Sequence, residues 1–348
     1  MSWAEVKKIN SNMEVPLNEM LGSTIRCIVD SNSLNDYKGQ IVTCTLEGFE
    51  TVTGIVDEEG ICVLKPRMCG TYKISVTSID EKKTMNTEVT INTLGSAINA
   101  KFFSAVPFEG QKDWNSILRM IEMAYNDEIN LEDYWAVGDK TKISLSSMPA
   151  TGVGETHMEQ EVEVVILNFN HDELVTPING HTKAVVSLQL RDVLNNGSSR
   201  EGGYMNSTNT NVGGWGNSAR RTWCNEVFWN ALPQNIRDSV KTVNKKASTG
   251  NQSPSVSTYN DKVFLLSEDE VFGSATYSTG NEGVQYPYYA IASNRIKYQD
   301  TARTSASYWW ERSPCSSYST AFCFVGSSGS AYIDAASNTY GLAPAFCL

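Results

Sequence analysis

Only three imidazoles, His157, His171 and His181, are available as general bases near neutral pH. His171 stands in HDEL and His181 in NGHT, beside alternating apolar runs and away from any nucleophile motif, so they read as surface histidines. No GxSxG, HExxH or Walker A pattern occurs, and Gly213, Gly214 and Gly216 are followed by no Lys-Ser or Lys-Thr to complete a phosphate loop. A calcium centre needs several clustered oxygen ligands. Asp334 is isolated, and Glu268, Asp269 and Glu270 behind Ser267 read as a capping box closed by Gly273. The eight cysteines, Cys27, Cys44, Cys62, Cys69, Cys224, Cys315, Cys323 and Cys347, lack CxxC spacing and the density of a small disulfide scaffold. They read as free thiols, with a sandwich disulfide among Cys27, Cys44 and Cys62 as the alternative. The expectation is therefore no catalytic residue, no metal and no cofactor.

The elements that would position a site fall into two blocks, as expected for 348 residues. Hydrophobic residues make up 41% and charged residues 19%, which suits a loop-rich β-containing protein. The net charge of -11 with no concentrated basic footprint argues against nucleic acid as partner. No stretch approaches the roughly 18 apolar residues of a membrane span, and residues 1–22 lack the apolar core of a secretory signal. A chain made in the cytoplasm, with no membrane insertion, is expected. Residues 2–10 can form a short helix with Trp3, Val6 and Ile9 on one side, too short to stand alone and suited to packing on a partner.

From Thr24 to Leu94 the runs IRCIVD, QIVTCTL, TVTGIV, ICVL and GTYKISVTSI alternate with period two, and the turn Asp57-Glu58-Glu59-Gly60 joins two of them. A small β-sandwich is expected over residues 24–95, with a linker at 96–109. Beyond it, Trp114, Ile117, Leu118 and Ile121 share a helical face over 113–125, with Asp113 near the N-cap. EVEVVILNFN (161–170) and AVVSLQL (184–190) read as strands able to pair across the turn-bearing HDELVTPING. Ser218 can cap a helix carrying Trp223, Val227, Phe228, Ala231 and Leu232, which Pro233 stops while opening another through Ile236, Val240 and Val243. KVFLLS (262–267) is a strand, and GGYMNSTNTNVGGWGNS (202–218) is a long loop whose Asn and aromatic residues suggest order.

The last segment alternates aromatic words with small polar runs: YWWERSP (308–314), FCFV (322–325), GSAY (329–332), ASNTYG (336–341) and LAPAFCL (342–348). These words resemble the variable proteins of diversity-generating retroelements. WAVGD, VILNFNHD, TNTNVGGW, WCNEVFWNALP, VFLLSEDEVFG and EGVQYPYY resemble a bacterial and phage domain family with the C-type-lectin-like, formylglycine-generating-enzyme-like fold. TGIVDEEGICVL followed by GTYKISVT resembles bacterial Ig-like modules. The first two resemblances cover about residues 110–348. They imply an α+β C-type-lectin-like domain there, with a variable segment near 305–341, preceded by an all-β Ig-like sandwich acting as a spacer.

In such proteins a reverse transcriptase writes errors at adenines into the 3' end of the gene. Randomised Asn codons cannot reach Lys, Glu, Gln, Met or Trp, and none of these occurs between Cys315 and Gly341. The resemblance assigns Cys315, Ser317, Tyr318, Ala321, Phe324, Gly326, Ser328, Ser330, Tyr332, Ile333, Asp334, Ala335, Thr339 and Tyr340 to a variable, ligand-facing set, with Phe324 and Ile333 alternatively ordinary core residues. Tyr318, Tyr332 and Tyr340 would be its energetic anchors, because rigid aromatic side chains give contact area at low entropy cost. Trp309, Trp310, Glu311, Arg312 and Phe346 read as scaffold, though Glu311 and Arg312 could equally be rim contacts.

The expectation is a phage tail-tip or receptor-binding protein of the virion. It would recognise a host-surface protein or glycan, attach to other phage structural proteins through residues 1–22, and gain avidity as a homotrimer or another oligomer. Two rivals share the fold: a formylglycine-generating-type oxidase using Cys323 and Cys347, and a Ca²⁺-dependent glycan-binding lectin or adhesin.

Overall fold

The computed structural model of the chain describes residues 22–29, 34–81, 84–102, 105–149, 156–194 and 203–348. The helix expected over residues 2–10 lies outside them. The chain divides into two compact units, 1–105 and 106–348. Among the described residues both are β-rich, with several sheets and few, mostly short helices, and the sheets form no barrel. Among the described residues no helix is long and apolar enough to cross a membrane.

The first unit contains β1 (Thr24–Val29), β2 (Ile41–Leu46), β3 (Glu50–Ile55), β4 (Ile61–Leu64), β5 (Gly70–Thr77), β6 (Thr84–Ile91) and β7 (Ala97–Phe102). They make two sheets, β4-β1-β7 and β3-β2-β5-β6. Alternation decides which side chains enter the core between them. Ile25, Cys27 and Val29 of β1, Val42 and Cys44 of β2, and Tyr72, Ile74 and Val76 of β5 are all buried, while intervening positions face out. β7 corrects the expectation of a linker at 96–109, since Ala97–Phe102 pairs in parallel with all of β1. Ala100 and Phe102 are buried and Ile98 packs against the same core, but with Ala97, Asn99, Ala100 and Lys101 the AINAKF text carries too little β-branched or aromatic character to stand out as a strand.

The second unit opens with α1 (Trp114–Tyr125), capped by Asp113, whose carboxylate accepts from the Asn115 N–H. Its strands are β8 (Lys140–Leu145), β9 (Gln160–Phe169), β10 (Glu173–Ile178), β11 (His181–Lys183), β12 (Val186–Leu190), β13 (Val243–Ser248) and β14 (Val256–Asp261). After these come β15 (Val263–Phe264), β16 (Lys297–Tyr298), β17 (Ala306–Ser307), β18 (Trp309–Pro314), β19 (Ala321–Val325), β20 (Ala331–Ala335) and β21 (Ala345–Cys347). The central sheet runs β15-β21-β12-β9-β8, so Phe346 is buried at the middle of the unit, opposite Leu188. β9 and β12 pair antiparallel as their patterns predict.

Two expectations fail nearby. HDELVTPING holds a strand, β10, despite Pro177, because its partners β11 and β13 lie on either side. The helix after Pro233 ends at Ser239, and Val243 begins β13, where Lys245 and Ala247 point inward.

α2 (Ala219–Trp223), capped by Ser218, widens into a π-helical turn over Cys224–Phe228. α3 spans Gln234–Ser239 and α4 spans Glu268–Phe272. The capping box is present on α4: the Ser267 hydroxyl and Glu270 carboxylate each accept a backbone N–H, and Gly273 is left-handed. The acidic residues also hold the loop C-terminal to the helix. Glu268 accepts from the Tyr277 and Ser278 N–H groups and Asp269 from the Glu282 N–H.

Candidate functional site

The sheet β18-β19-β20 carries the C-terminal segment, and its two faces differ in chemistry. Trp310, Phe324 and Tyr332 stand in one row across the three strands. Around them an aromatic cluster forms: Phe324 lies 4.4 Å from Tyr340 and 5.6 Å from Tyr332, and Tyr308 lies 5.3 Å from Tyr340, between ring centroids. Trp310 closes the base at 4.8 Å from Tyr340 and donates its indole N–H to the Gly203 carbonyl. The upper rings are open, since Tyr308 and Tyr332 are each 46% exposed and Tyr318, on the adjoining turn, is 58% exposed. Asp334 accepts from the Tyr340 hydroxyl and the Ala335 N–H; burial would raise its pKa, but these bonds hold the carboxyl below its ordinary value.

Beneath the sheet lies a buried ionic network. Arg312 uses all five N–H donors: Nε to the Lys246 carbonyl, Nη1 to the Leu265 carbonyl and Glu270 Oε2, and Nη2 to Glu270 Oε1 and the Glu282 carbonyl. Lys245 bridges Glu270 and Asp172 at 2.6 Å each. Burial alone would push the Asp172 carboxyl up; Lys245 and His171 outweigh it and hold it far below its ordinary value. Arg312 is thus a scaffold residue rather than a rim contact. Glu311 is also fully buried, but neither carboxylate oxygen has a hydrogen-bond partner among the described residues. Burial, reinforced by Glu268 and Glu282, pushes it well above the ordinary carboxyl range.

The loop over 203–218 fixes the segment from the side. Asn211 is fully buried, and its amide N–H₂ donates to the carbonyls of Tyr318 and Ala321 at 2.8 Å each and more distantly to Cys315. Its side-chain oxygen accepts from the Asn251 N–H at 2.8 Å, and its own backbone N–H reaches the Ser319 carbonyl. Met205 and Asn206 donate to the Ala336 carbonyl. Close approach makes two glycines necessary here. A Cβ on Gly214 (φ +57°) would stand 1.9 Å from the Ser248 oxygen, and one on Gly250 (φ +70°) 1.7 Å from the Asn211 oxygen. Nearly every anchor grips backbone, so the grip does not depend on which side chains the segment carries.

The expected ligand-facing set separates into three parts. Ser317, Tyr318, Ser328, Ser330 and Tyr332 are exposed, and Ile333, Asp334, Ala335, Thr339 and Tyr340 are half-buried at the same surface. Cys315, Ala321, Phe324 and Gly326 are buried and correct the expectation. Cys315 and Ala321 close the turn between β18 and β19 through a backbone hydrogen bond. Phe324 is the floor of the aromatic cluster, and a Cβ on Gly326 would meet the Tyr332 ring at 2.7 Å. Trp309, Trp310, Glu311, Arg312 and Phe346 are all buried. Sequence reasoning passed over Tyr308 as a surface residue and Asn211 as an anchor. The signal for the second was the density of Asn and Gly in its loop.

The two cysteines named for an oxidase have different surroundings. Cys347 donates to Asp172 and lies near Ser187, whereas Cys323 lies among Glu268, Glu311 and Glu282. Burial pushes both thiols well above their ordinary value, which disfavours the reactive thiolate. Among the described residues no group of three or more His, Cys, Asp or Glu side chains could hold a metal.

The profile of one protein family, described as Domain of unknown function (DUF6273), matches residues 184–348. That span runs from β12 to the C-terminus and includes the aromatic face, the Asn211 loop and all of the ionic base except Asp172. No match is found among curated proteins.

Proposed function

We propose that the chain is a ligand-binding display protein, a variable protein of a diversity-generating retroelement, whose aromatic face on β18-β19-β20 recognises a host-surface protein or glycan. On this reading the second unit is a C-type-lectin-like scaffold and the first an Ig-like spacer. The whole acts as an oligomeric tail-tip or receptor-binding protein of a phage. One observation carries it: the exposed Ser317, Tyr318, Ser328, Ser330 and Tyr332 side chains sit on a backbone held by Arg312, Trp310 and Asn211, none of which hydrogen-bonds to those side chains. Such a frame tolerates replacement at the surface while keeping its shape. Open tyrosines flanked by small hydroxyl residues are also the composition of adaptable paratopes.

Two libraries test it. Randomising Ser317, Tyr318, Ser328, Ser330, Tyr332 and Thr339 together should leave most chains folded and yield binders to an arbitrary protein target. Randomising Trp309, Trp310, Arg312 and Phe346 should leave few folded chains. If the first library folds no better than the second, the surface is not a display face.

A further inference from the structure

Three thiols meet in the core of the first unit, away from the aromatic face. Cys27 on β1 and Cys62 on β4 are direct cross-strand partners, and both point inward, fully buried. In the same register the Val29 N–H donates to the Gly60 carbonyl and the Ser23 N–H to the Pro66 carbonyl, so the cysteines occupy a hydrogen-bonded pair position. Facing residues there stand about 5.5 Å apart between Cα atoms, inside the roughly 4.4–6.8 Å that a disulfide spans, but their Cβ atoms stand nearer about 5.5 Å than the roughly 3.5–4.5 Å of a disulfide, so the bond closes only with a shift of the short edge strand β4. The surroundings leave room for sulfur. A Cβ on Gly54 would stand 2.5 Å from the Cys62 Sγ, so the missing side chain on β3 creates the space that sulfur occupies. Cys44 on β2 approaches the pair from the other sheet.

We propose that Cys27 and Cys62 are a disulfide-forming pair that closes on exposure to a low-molecular-weight disulfide such as oxidised glutathione, stapling β4 to β1. One cysteine thiolate attacks a glutathione sulfur and expels one glutathione thiolate. The second cysteine thiolate then attacks the mixed disulfide, forms the protein S–S bond and expels the other. Two electrons pass to the glutathione pair, and the two protons lost by the cysteines protonate the two expelled thiolates. Burial, with Cys44 and Cys62 nearby, pushes Cys27 up to about 12, and burial with Asp57 pushes Cys62 up to about 11. The folded pair therefore holds little thiolate, and the reaction runs through opening of β4, a four-residue strand at the edge of its sheet.

The test uses the full chain, incubated with oxidised glutathione with and without urea below the unfolding midpoint, then denatured, alkylated and mapped by mass spectrometry. The expected result is a Cys27–Cys62 cross-linked peptide, formed faster in urea, and a thermal midpoint raised by roughly 10 °C. Cys44→Ala should keep the cross-link, and Cys62→Ala should abolish it. A cross-link through Cys44, mixed glutathione adducts without a protein disulfide, or unmodified thiols after oxidation in urea would each overturn the proposal. The parent chain alone decides the matter if Cys62→Ala does not fold.

Discussion

Replacing Asn211 by Ala perturbs the anchor of the aromatic face without touching any side chain on it. The substitution removes the two 2.8 Å bonds to the Tyr318 and Ala321 carbonyls and the one from the Asn251 N–H. Ala321 O retains the Cys315 N–H as a partner, so the groups that lose a donor or acceptor are the Tyr318 and Cys315 carbonyls and the Asn251 N–H. A fully buried group left unpaired costs about 1–3 kcal/mol; the Tyr318 and Asn251 bonds are only partly buried and the Cys315 bond is long, so the expected total loss is about 1–3 kcal/mol. The backbone bond from Asn211 to Ser319 survives, so the chain should still fold. Urea unfolding followed by tryptophan fluorescence gives the magnitude, with Tyr318→Ala as the control. That side chain is 58% exposed, so its loss should change stability by no more than about 0.5 kcal/mol while weakening ligand binding. An Asn211→Ala chain within about 0.5 kcal/mol of the parent would mean that water takes over the carbonyls and that the loop is not what holds the face.

Arg312→Met should cost about 3–5 kcal/mol, because it strips Glu270 of its bidentate partner in a fully buried site; calorimetry checks this, and a loss below about 1 kcal/mol would contradict the network. Glu282 predicts the direction of pH dependence. Burial raises its carboxyl from 4.5 to about 7, so the folded state holds the proton more tightly, and stability should fall by about 3 kcal/mol as pH rises between those values. Glu311→Gln should stabilise the chain increasingly as pH rises above the ordinary carboxyl range and change little in acid; denaturation of both chains across pH compares them. Brief alkylation of the folded, reduced chain should modify Cys69 first, because it is the exposed cysteine and the others are buried; intact-mass measurement reads the count.

Local pattern made much of the frame legible and little of what holds it together. Period-two alternation located β1 to β5, β9 and β12, and the helical spacing of Trp114, Ile117 and Ile121 located α1, because those signals lie within one element. The capping box at Ser267 was legible for the same reason. β10 and β13 were not, because Pro177 and the lysines of VNKKAS oppose strand propensity, and their pairing with each other and with β11 and β14 overrides it. The ionic base joins Asp172, Lys245, Glu270 and Arg312 across most of the second unit, and no single-sequence pattern announces such a contact. At the aromatic face the alternation of large and small residues was visible, but its phase was not. Phe324 and Tyr332 stack on the same face, one as floor and one as surface, a distinction set by burial beneath Tyr308 and Tyr340.

Under the proposed function, a diversifying element writes the exposed face and leaves the frame beneath it unchanged. Sequencing the DNA around the gene tests this most directly. The expected result is a reverse-transcriptase gene and a near-identical repeat of the codons for roughly the last forty residues. Mismatches should fall at adenines in codons for exposed positions such as Ser317, Tyr318, Ser328 and Tyr332, and not in those for Trp309, Trp310 or Arg312. A locus with neither repeat nor reverse transcriptase, or mismatches scattered over the buried codons, would contradict it.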